Sequence, residues 1–160
     1  MEQELTHKFT SELARCRGIV AKICRLYGGD ADDRNDLQQD ILLNAWSAYP
    51  RFRSEAKFST WLYKVALNTA IGRIRRKELP TDPLPLHDVI PDSESEKIAQ
   101  LELLSHLVRR LTDEEKALVA LYLDELSYAD MAEITGLTET NVGVKLNRIK
   151  NKLKNSHYEH

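Results

Sequence analysis

The chain has 160 residues, of which 42% are hydrophobic and 30% are charged, a balance typical of a globular protein and not of a disordered one. No apolar run approaches the roughly 20 residues that cross a bilayer, and the first residues lack the basic start and apolar core of a signal peptide. We therefore expect a cytoplasmic protein with no direct membrane insertion. The net charge of −2 conceals two basic blocks, since residues 51–78 hold eight Lys and Arg against two acidic residues and residues 137–160 hold five against two. Such blocks allow a chain of acidic pI to bind a polyanion.

No pattern of catalytic or metal-binding residues stands out. The five histidines are scattered, and none pairs with Cys or a carboxylate at the spacing of metal ligands. Phosphate-binding glycine loops, nucleophile elbows and zinc-protease motifs are absent from the sequence. Cys16 and Cys24 lie on one predicted helix about 12 Å apart, which is too far for a disulfide and favours core thiols. We therefore predict a protein that is not an enzyme and that needs no cofactor or metal.

The first predicted elements are two helices separated by Gly28 and Gly29. Apolar residues recur at helical spacing over residues 4–27, which predicts a single helix there. An aspartate among residues 30–33 can cap the second helix, which should run to about Ala48. One side of that helix is apolar, with Leu37 and Ile41 directed inward.

Another side of the second helix is polar and acidic, and we call it the docking face. Its members recur at i, i+3, i+4 and i+8, and they are Asp36, Gln39, Asp40 and Asn44. On residue types alone, this side is either a solvated face or a surface that docks on a protein partner.

The third predicted helix begins near Phe58 and is apolar on most sides. One narrow arc of it, which we call the basic strip, consists of Lys57, Thr60, Lys64, Asn68 and Arg75. The helix ends in a cluster of basic residues, Arg73, Arg75, Arg76 and Lys77. The strip is either the solvent edge of a buried helix or a nucleic-acid face, because it is basic and carries an amide that can read bases.

A change of composition separates this first part from the rest. Residues 79–96 hold four prolines and several acidic residues but no Lys or Arg, which predicts a linker with a reach on the order of 50 Å. The predicted domains are therefore residues 1–78 and 97–160.

Helical periodicity returns at residues 97–111, and Thr112 with Glu115 forms a predicted capping box. Ala132, Gly136 and Val142 then follow the spacing of a helix-turn-helix: a small residue where the helices meet, a left-handed turn and a core anchor. The second helix of this motif should expose a set of polar side chains with one valine, namely Thr140, Asn141, Val144, Asn147, Arg148 and Asn151, beside Lys145. Such a face suits a major groove, although an ordinary polar helix surface would look similar.

Two stretches resemble a known family, the extracytoplasmic-function (ECF) alternative sigma factors of bacterial RNA polymerase. Region 2 of that family is similar to DLQQDILLNAWSAYPRFRSEAKFSTWLYKVALNTAIGRIRRK, and region 4 is similar to LTDEEKALVALYLDELSYADMAEITGLTETNVGVKLNRIKNKLK. The resemblance implies an all-α fold of two small helical domains, with the helix-turn-helix in the second domain.

The resemblance also implies roles for particular residues. The docking face would bind the clamp helices of the polymerase, and the second domain would meet the polymerase flap. Bases and phosphates of the −10 element would be held by Arg51, Arg53, Ser54, Lys57, Lys64, Asn68, Arg73, Arg75 and Arg76, with the loop at residues 52–58 and Asn68 capturing a flipped base. The −35 element would be read by Thr138, Thr140, Asn141, Val144, Lys145, Asn147, Arg148 and Asn151. Gly143 and Val144 depart from the family, many members of which carry a basic residue followed by serine there, so direct base readout should differ.

These implications predict a transcription initiation factor that recruits core RNA polymerase to promoter DNA and helps to melt it. Members of the family commonly have an anti-sigma partner as well. Two other functions fit part of the sequence: a helix-turn-helix regulator that is not a polymerase subunit, and a helical interaction protein that does not bind DNA. Co-purification with core polymerase distinguishes the regulator from the initiation factor.

Overall fold

A computed structural model describes residues 1–53, 55–77, 108 and 110–158, apart from the side chains of Lys77 and of residues 156–158. The chain divides into two compact units, Met1–Thr81 and Asp82–His160. Within the described residues all regular structure is helical, which confirms the predicted all-α class. Ser54, the predicted linker and most of the helix predicted at residues 97–111 lie outside the described residues.

The first unit begins with two helices where the sequence predicted one. Helix α1 spans Glu2–Arg15 and α2 spans Arg17–Tyr27, with a break at Cys16, whose φ and ψ are −116° and 24°. The single-helix prediction is therefore wrong. The break serves packing, because α2 buries four residues whereas α1 buries only the ring of Phe9.

Helix α3 spans Ala31–Ala48 and begins as expected from the sequence. The side chain of Asp30 accepts a hydrogen bond of 2.7 Å from the backbone N–H of Asp33, which satisfies one of the free donors of the first turn. Gly28 is required just before it, because a Cβ there would collide with the side chain of Arg34 and lie 2.6 Å from the carbonyl oxygen of Cys24. This close approach fixes the angle between α2 and α3.

Helix α4 spans Phe58–Lys77 and packs against both α2 and α3. Ile23 of α2, Ile41 of α3 and Leu62 of α4 are fully buried at their junction. The thiol of Cys24 lies in the same core, and burial raises its pKa to about 11, against the opposing charges of Arg73 and Arg34. Both cysteines are free, as the sequence predicted, so the first unit is held by packing and not by a disulfide.

Six aromatic rings close the end of the first unit where α3 passes through a short 3₁₀ turn, Tyr49–Arg51, toward α4. Neighbouring centroids are 5.0 to 6.2 Å apart, and the rings belong to Phe9, Trp46, Tyr49, Phe52, Phe58 and Trp61. The hydroxyl of Tyr49 donates a 3.0 Å hydrogen bond to the carboxylate of Glu12. Burial first, and the hydrogen bond and charge of Glu12 next, raise the pKa of Tyr49 from 10.0 to about 12.

The raised pKa of Tyr49 predicts a loss of stability at high pH. The native state holds this proton more tightly than the unfolded state, so its contribution is complete below pH 10 and is lost between pH 10 and 12. Two pKa units correspond to about 2–3 kcal/mol. We expect the free energy of unfolding of the wild type to fall by about that much more than that of Tyr49→Phe over this range.

Urea titrations followed by tryptophan fluorescence measure this difference, because both tryptophans, Trp46 and Trp61, belong to the first unit. The thiol of Cys24 titrates in both proteins, and its effect cancels in the comparison. Parallel curves for wild type and variant between pH 10 and 12 would contradict the assignment.

The described part of the second unit contains α5 (Asp113–Leu123), α6 (Tyr128–Thr135) and α7 (Glu139–Tyr158). The predicted capping box is present, since the Thr112 hydroxyl accepts from the backbone N–H of Glu115 and the Glu115 carboxylate accepts from that of Thr112. Burial alone would raise the pKa of Glu115, but these hydrogen bonds and the ammonium of Lys152, 3.1 Å away, outweigh it and lower the pKa. An ion pair therefore ties α7 to the start of α5.

Helices α6 and α7 form the predicted helix-turn-helix. Ser127 caps α6, and Gly136 follows it with a φ of +80°, a left-handed conformation that costs a glycine little. The core beneath the motif is apolar, and its fully buried members include Met131, Val142 and Ile149. This packing leaves the opposite side of α7 exposed.

Candidate nucleic-acid interface and docking face

The docking face of α3 is linked to the end of α4 by one arginine. The Arg73 guanidinium lies 2.7 Å from the carboxylate of Asp33, 3.2 Å from that of Asp40 and 3.9 Å from that of Asp36. Its side chain is only 13% exposed. Arg73 is one of the residues predicted to contact DNA, and in the structure its guanidinium lies among carboxylates of α3, where it neutralises part of their acidic charge.

The remaining docking-face residues stay accessible. The side chains of Asp36 and Asp40 are 68% and 49% exposed, and Gln39 is exposed between them. Leu43 lies on the same side of the helix, one turn further along, and is also exposed. Sequence reasoning had treated this side as purely polar and missed Leu43, although its i+3 spacing from Asp40 was visible.

The basic strip of α4 is only partly exposed. Lys57, Lys64, Asn68 and Arg75 are exposed, whereas Thr60 is buried with 3% of its surface accessible. The strip is therefore interrupted at Thr60 and reaches solvent on either side of it. It cannot be an unbroken solvent edge.

Asn68 lies on the wall of an open cleft of about 560 Å³ between α3 and α4. The cleft is lined by Asn44, Ala48, Val65, Asn68, Thr69, Gly72, Arg75 and Arg76. The Asn44 amide donates a 3.0 Å hydrogen bond to the Thr69 hydroxyl, which in turn donates to the carbonyl of Val65. One member of the docking face therefore also shapes the cleft that holds Asn68.

The loop before α4 exposes basic side chains around one anchoring ring. Arg51, Arg53 and Lys57 are exposed, while Phe52 packs 5.0 Å from the ring of Trp61. Ser54 lies outside the described residues. The described residues of this loop do not line the cleft that contains Asn68.

Helix α7 exposes most of the side chains predicted to read duplex DNA. Thr140, Asn141, Asn147, Arg148 and Asn151 are exposed, Val144 is 44% exposed and Lys145 is half-buried. Thr138 has a structural role as well, because its hydroxyl accepts a 3.1 Å hydrogen bond from the backbone N–H of Asn141 and caps the helix.

A shallow cavity of about 580 Å³ lies on this exposed side of α7. It is lined by Tyr128, Glu139, Thr140, Gly143, Val144, Asn147 and Lys150. Tyr128 belongs to α6 and was not predicted from the sequence as part of this surface. The one sequence feature that could have indicated it is Gly143, at a position where many family members carry a basic residue.

Other kinds of site are not found in the described part of the chain. No group of three or more His, Cys, Asp or Glu residues there could hold a metal ion. None of the described helices is both long and apolar enough to span a bilayer.

The surfaces of α3 and α4 and the exposed side of α7 lie in two regions of the chain that match known families. The model of Sigma-70 region 2 matches residues 13–79, and that of Sigma-70 region 4 matches residues 101–153. The chain is 31% identical over 137 residues to the ECF RNA polymerase sigma factor SigM of Mycobacterium tuberculosis, covering 82% of this chain and 68% of that protein. It is 24% identical over 151 residues to SigW of Bacillus subtilis, covering 84% and 81%.

Two solved structures share the fold. The sigma factor RpoE in complex with the anti-sigma factor NepR from Bartonella quintana aligns with a TM-score of 0.74 at 20% identity, covering 92% of this chain and 95% of that one. CnrH in complex with the cytosolic domain of CnrY aligns with a TM-score of 0.69 at 21% identity, covering 96% and 90%.

Proposed function

Because the chain belongs to the ECF sigma factors, transcription initiation factors for RNA polymerase, we propose that it binds core polymerase through the docking face of α3 and contacts promoter DNA through α4 and α7. The functional modules we propose are residues 1–78 and 97–160, joined by the linker at 79–96. Sigma factors are not enzymes, and the role proposed for this chain involves binding alone, in the cytoplasm, with no cofactor.

One observation carries this proposal: α3 and α4 present opposite charges side by side. Asp36, Gln39 and Asp40 are accessible on α3, and Arg75 and Arg76 line the cleft at the end of α4. A partner protein with basic groups and a nucleic-acid strand would then bind neighbouring surfaces of one unit. A plain helix-turn-helix regulator requires neither of these surfaces.

On the −10 element we propose that Asn68 reads an unstacked base while Lys64, Arg75 and Arg76 hold the phosphates. Extruding a base costs a few kcal/mol, part of which hydrogen bonds to its edge recover. The basic side chains add affinity that does not depend on sequence. For Arg73 we propose a structural role, because its guanidinium is occupied by the carboxylates of α3.

On the −35 element we propose that α7 enters the major groove. Amides can pair with adenine and arginine with guanine, so Asn147, Arg148 and Asn151 are suited to base edges. Lys145 and the lysines near the end of the helix would contact phosphates. The Thr138 cap holds the first turn of α7 in place for these contacts.

We also propose an anti-sigma partner, by extension from the RpoE complex. The side chains of Leu43 and Trp46 are 63% and 39% exposed on α3, and exposed apolar residues beside a charged face are typical of interaction surfaces. The same surface would then be shared by polymerase and inhibitor in turn.

Run-off transcription with purified core polymerase tests the proposed function. We expect the chain to direct initiation at specific start sites on a genomic template library, whereas core polymerase alone should give none of them. Co-purification with core polymerase supplies the control for the regulator alternative. Sequence-specific DNA binding without co-purification and without new start sites would favour a regulator and contradict the proposal.

A further inference from the structure

Gly143 allows a ring of α6 to lie directly against the backbone of α7. A Cβ built at Gly143 would be 3.3 Å from Cε2 and 3.8 Å from Cδ2 of Tyr128, so a larger side chain there would press against the ring. The glycine is not required by its own backbone conformation, because only Gly136 among the described glycines has a positive φ. Its effect is therefore on the position of Tyr128.

The ring of Tyr128 extends the exposed surface of α7 with apolar atoms. Tyr128 is 42% exposed and Val144 is 44% exposed, and both line the same shallow cavity beside Thr140 and Asn147. Gly143 lies between them and contributes no side chain. The centre of the face is therefore an apolar floor edged by a hydroxyl and an amide.

The charges at this cavity do not favour a phosphate. Glu139 and Lys150 both line it, so a carboxylate balances the ammonium. The ammonium of Lys150 is also held 4.4 Å from the centre of the Tyr122 ring, a cation–π contact. A ligand with an apolar group next to hydrogen-bonding edges fits better than an anion does.

We infer that Tyr128 is a further specificity-determining residue, whose ring forms with Val144 a contact surface for thymine methyl groups in the major groove. The thymine C5-methyl is the apolar group that base pairs present in this groove, and neighbouring acceptors lie within reach of Thr140 and Asn147. The inference rests on the proposed function of α7. Where many family members have a basic residue, this chain has Gly143, and the ring of Tyr128 that lies against it would give a different −35 preference.

The test replaces thymine by deoxyuridine, which removes only the methyl group. Holoenzyme assembled from the full chain and core polymerase is titrated with a promoter duplex found by start-site mapping, each −35 thymine being replaced in turn. For the wild type we expect affinity to fall about three- to fivefold at one or more positions, the effect of one buried methyl. Tyr128→Ala should lower affinity for the thymine duplex and remove most of this sensitivity, and Tyr128→Phe should retain it.

Gly143→Leu displaces the ring without altering it and keeps the inference testable if Tyr128→Ala does not fold. Like Tyr128→Ala, Gly143→Leu should reduce the loss of affinity that follows replacement of thymine by deoxyuridine. Leu123→Ala removes an exposed apolar side chain outside the cavity and should change nothing. Wild-type holoenzyme that binds promoters selectively but tolerates every deoxyuridine would overturn the inference and leave the proposed function standing.

A different pattern would identify a phosphate contact by the tyrosine hydroxyl. In that case Tyr128→Phe would lose as much affinity as Tyr128→Ala on every sequence, with methyl sensitivity unchanged, and the inference would be overturned. Absence of any promoter-selective binding would instead refute the proposed function.

Discussion

Replacing Asp40 by arginine is expected to lower the affinity of the chain for core RNA polymerase by about 10- to 100-fold. The proposed docking face is acidic, so its partner surface should be basic, and like charges placed opposite each other at an interface cost several kcal/mol. Affinity measured by titration of labelled chain with core polymerase, in the absence of DNA, gives the result directly.

The contacts of Asp40 complicate this variant. Its carboxylate lies 3.2 Å from the guanidinium of Arg73, so an arginine at position 40 also places two positive groups together. We expect the first unit to lose about 1–2 kcal/mol of unfolding free energy, less than for a fully buried pair because the Asp40 side chain is 49% exposed. A loss of polymerase binding could then reflect a disturbed α3 and not a lost contact.

Two further variants separate these causes. Arg73→Gln removes the guanidinium that pairs with Asp33 and Asp40 but leaves the docking face acidic, so it should lower stability without lowering polymerase affinity. Gln39→Arg adds a positive charge at an exposed position beside Asp40, and should lower affinity at unchanged stability. If Arg73→Gln lowered affinity as much as Asp40→Arg while Gln39→Arg left it unchanged, the acidic side of α3 would be a structural feature and the docking assignment would be wrong.

The helix boundaries that the sequence predicted well are those set by local chemistry. Asp30, one of the aspartates expected to cap α3, and Thr112 each accept a hydrogen bond from a backbone N–H three residues later, and their helices begin there. Gly136 likewise adopts the left-handed turn that the helix-turn-helix spacing required. Such features depend on a few neighbouring residues, and a single sequence contains all the information they need.

The features that the sequence did not reveal depend on residues far apart in the chain. Helical periodicity continues through Cys16, so the sequence did not reveal the break after which α2 packs against α3 and α4. Helical spacing placed Thr60 on the basic strip, but the side chain is buried in the fold. Arg73 looked like one of four equivalent basic residues until the fold brought three carboxylates of α3 around it.

Recognition of the family led to the proposed surfaces, but it did not reveal how this chain departs from the family there. The departure at Gly143 and Val144 was visible in the sequence, and it indicated only that base readout should differ. The structure adds the consequence, because the space that glycine leaves is where the ring of Tyr128 lies. A sequence alone does not show which neighbouring side chain packs against a glycine that replaces a larger residue.

Replacing Asn68 by alanine is expected to impair strand opening while core polymerase binding stays unchanged. The amide lies on the wall of the cleft that also contains Arg75 and Arg76, and a paired base contact contributes about 1–3 kcal/mol. On a mapped promoter we expect permanganate reactivity of the −10 thymines to fall about tenfold or more. Asn35→Ala makes the same chemical change at an exposed position of α3 with no assigned role, and it should leave reactivity unchanged.

Salt dependence distinguishes a base reader from a phosphate anchor within the same cleft. Binding of holoenzyme to a single-stranded −10 oligonucleotide should depend on the base sequence for the wild type and lose that dependence in Asn68→Ala. The slope of log affinity against log salt concentration should be the same for both proteins. Arg76→Gln should do the opposite, lowering affinity for every sequence and reducing the slope by about 0.7. Unchanged permanganate reactivity in Asn68→Ala, together with retained sequence dependence, would remove Asn68 from the recognition of the melted strand and leave its cleft as a purely electrostatic surface.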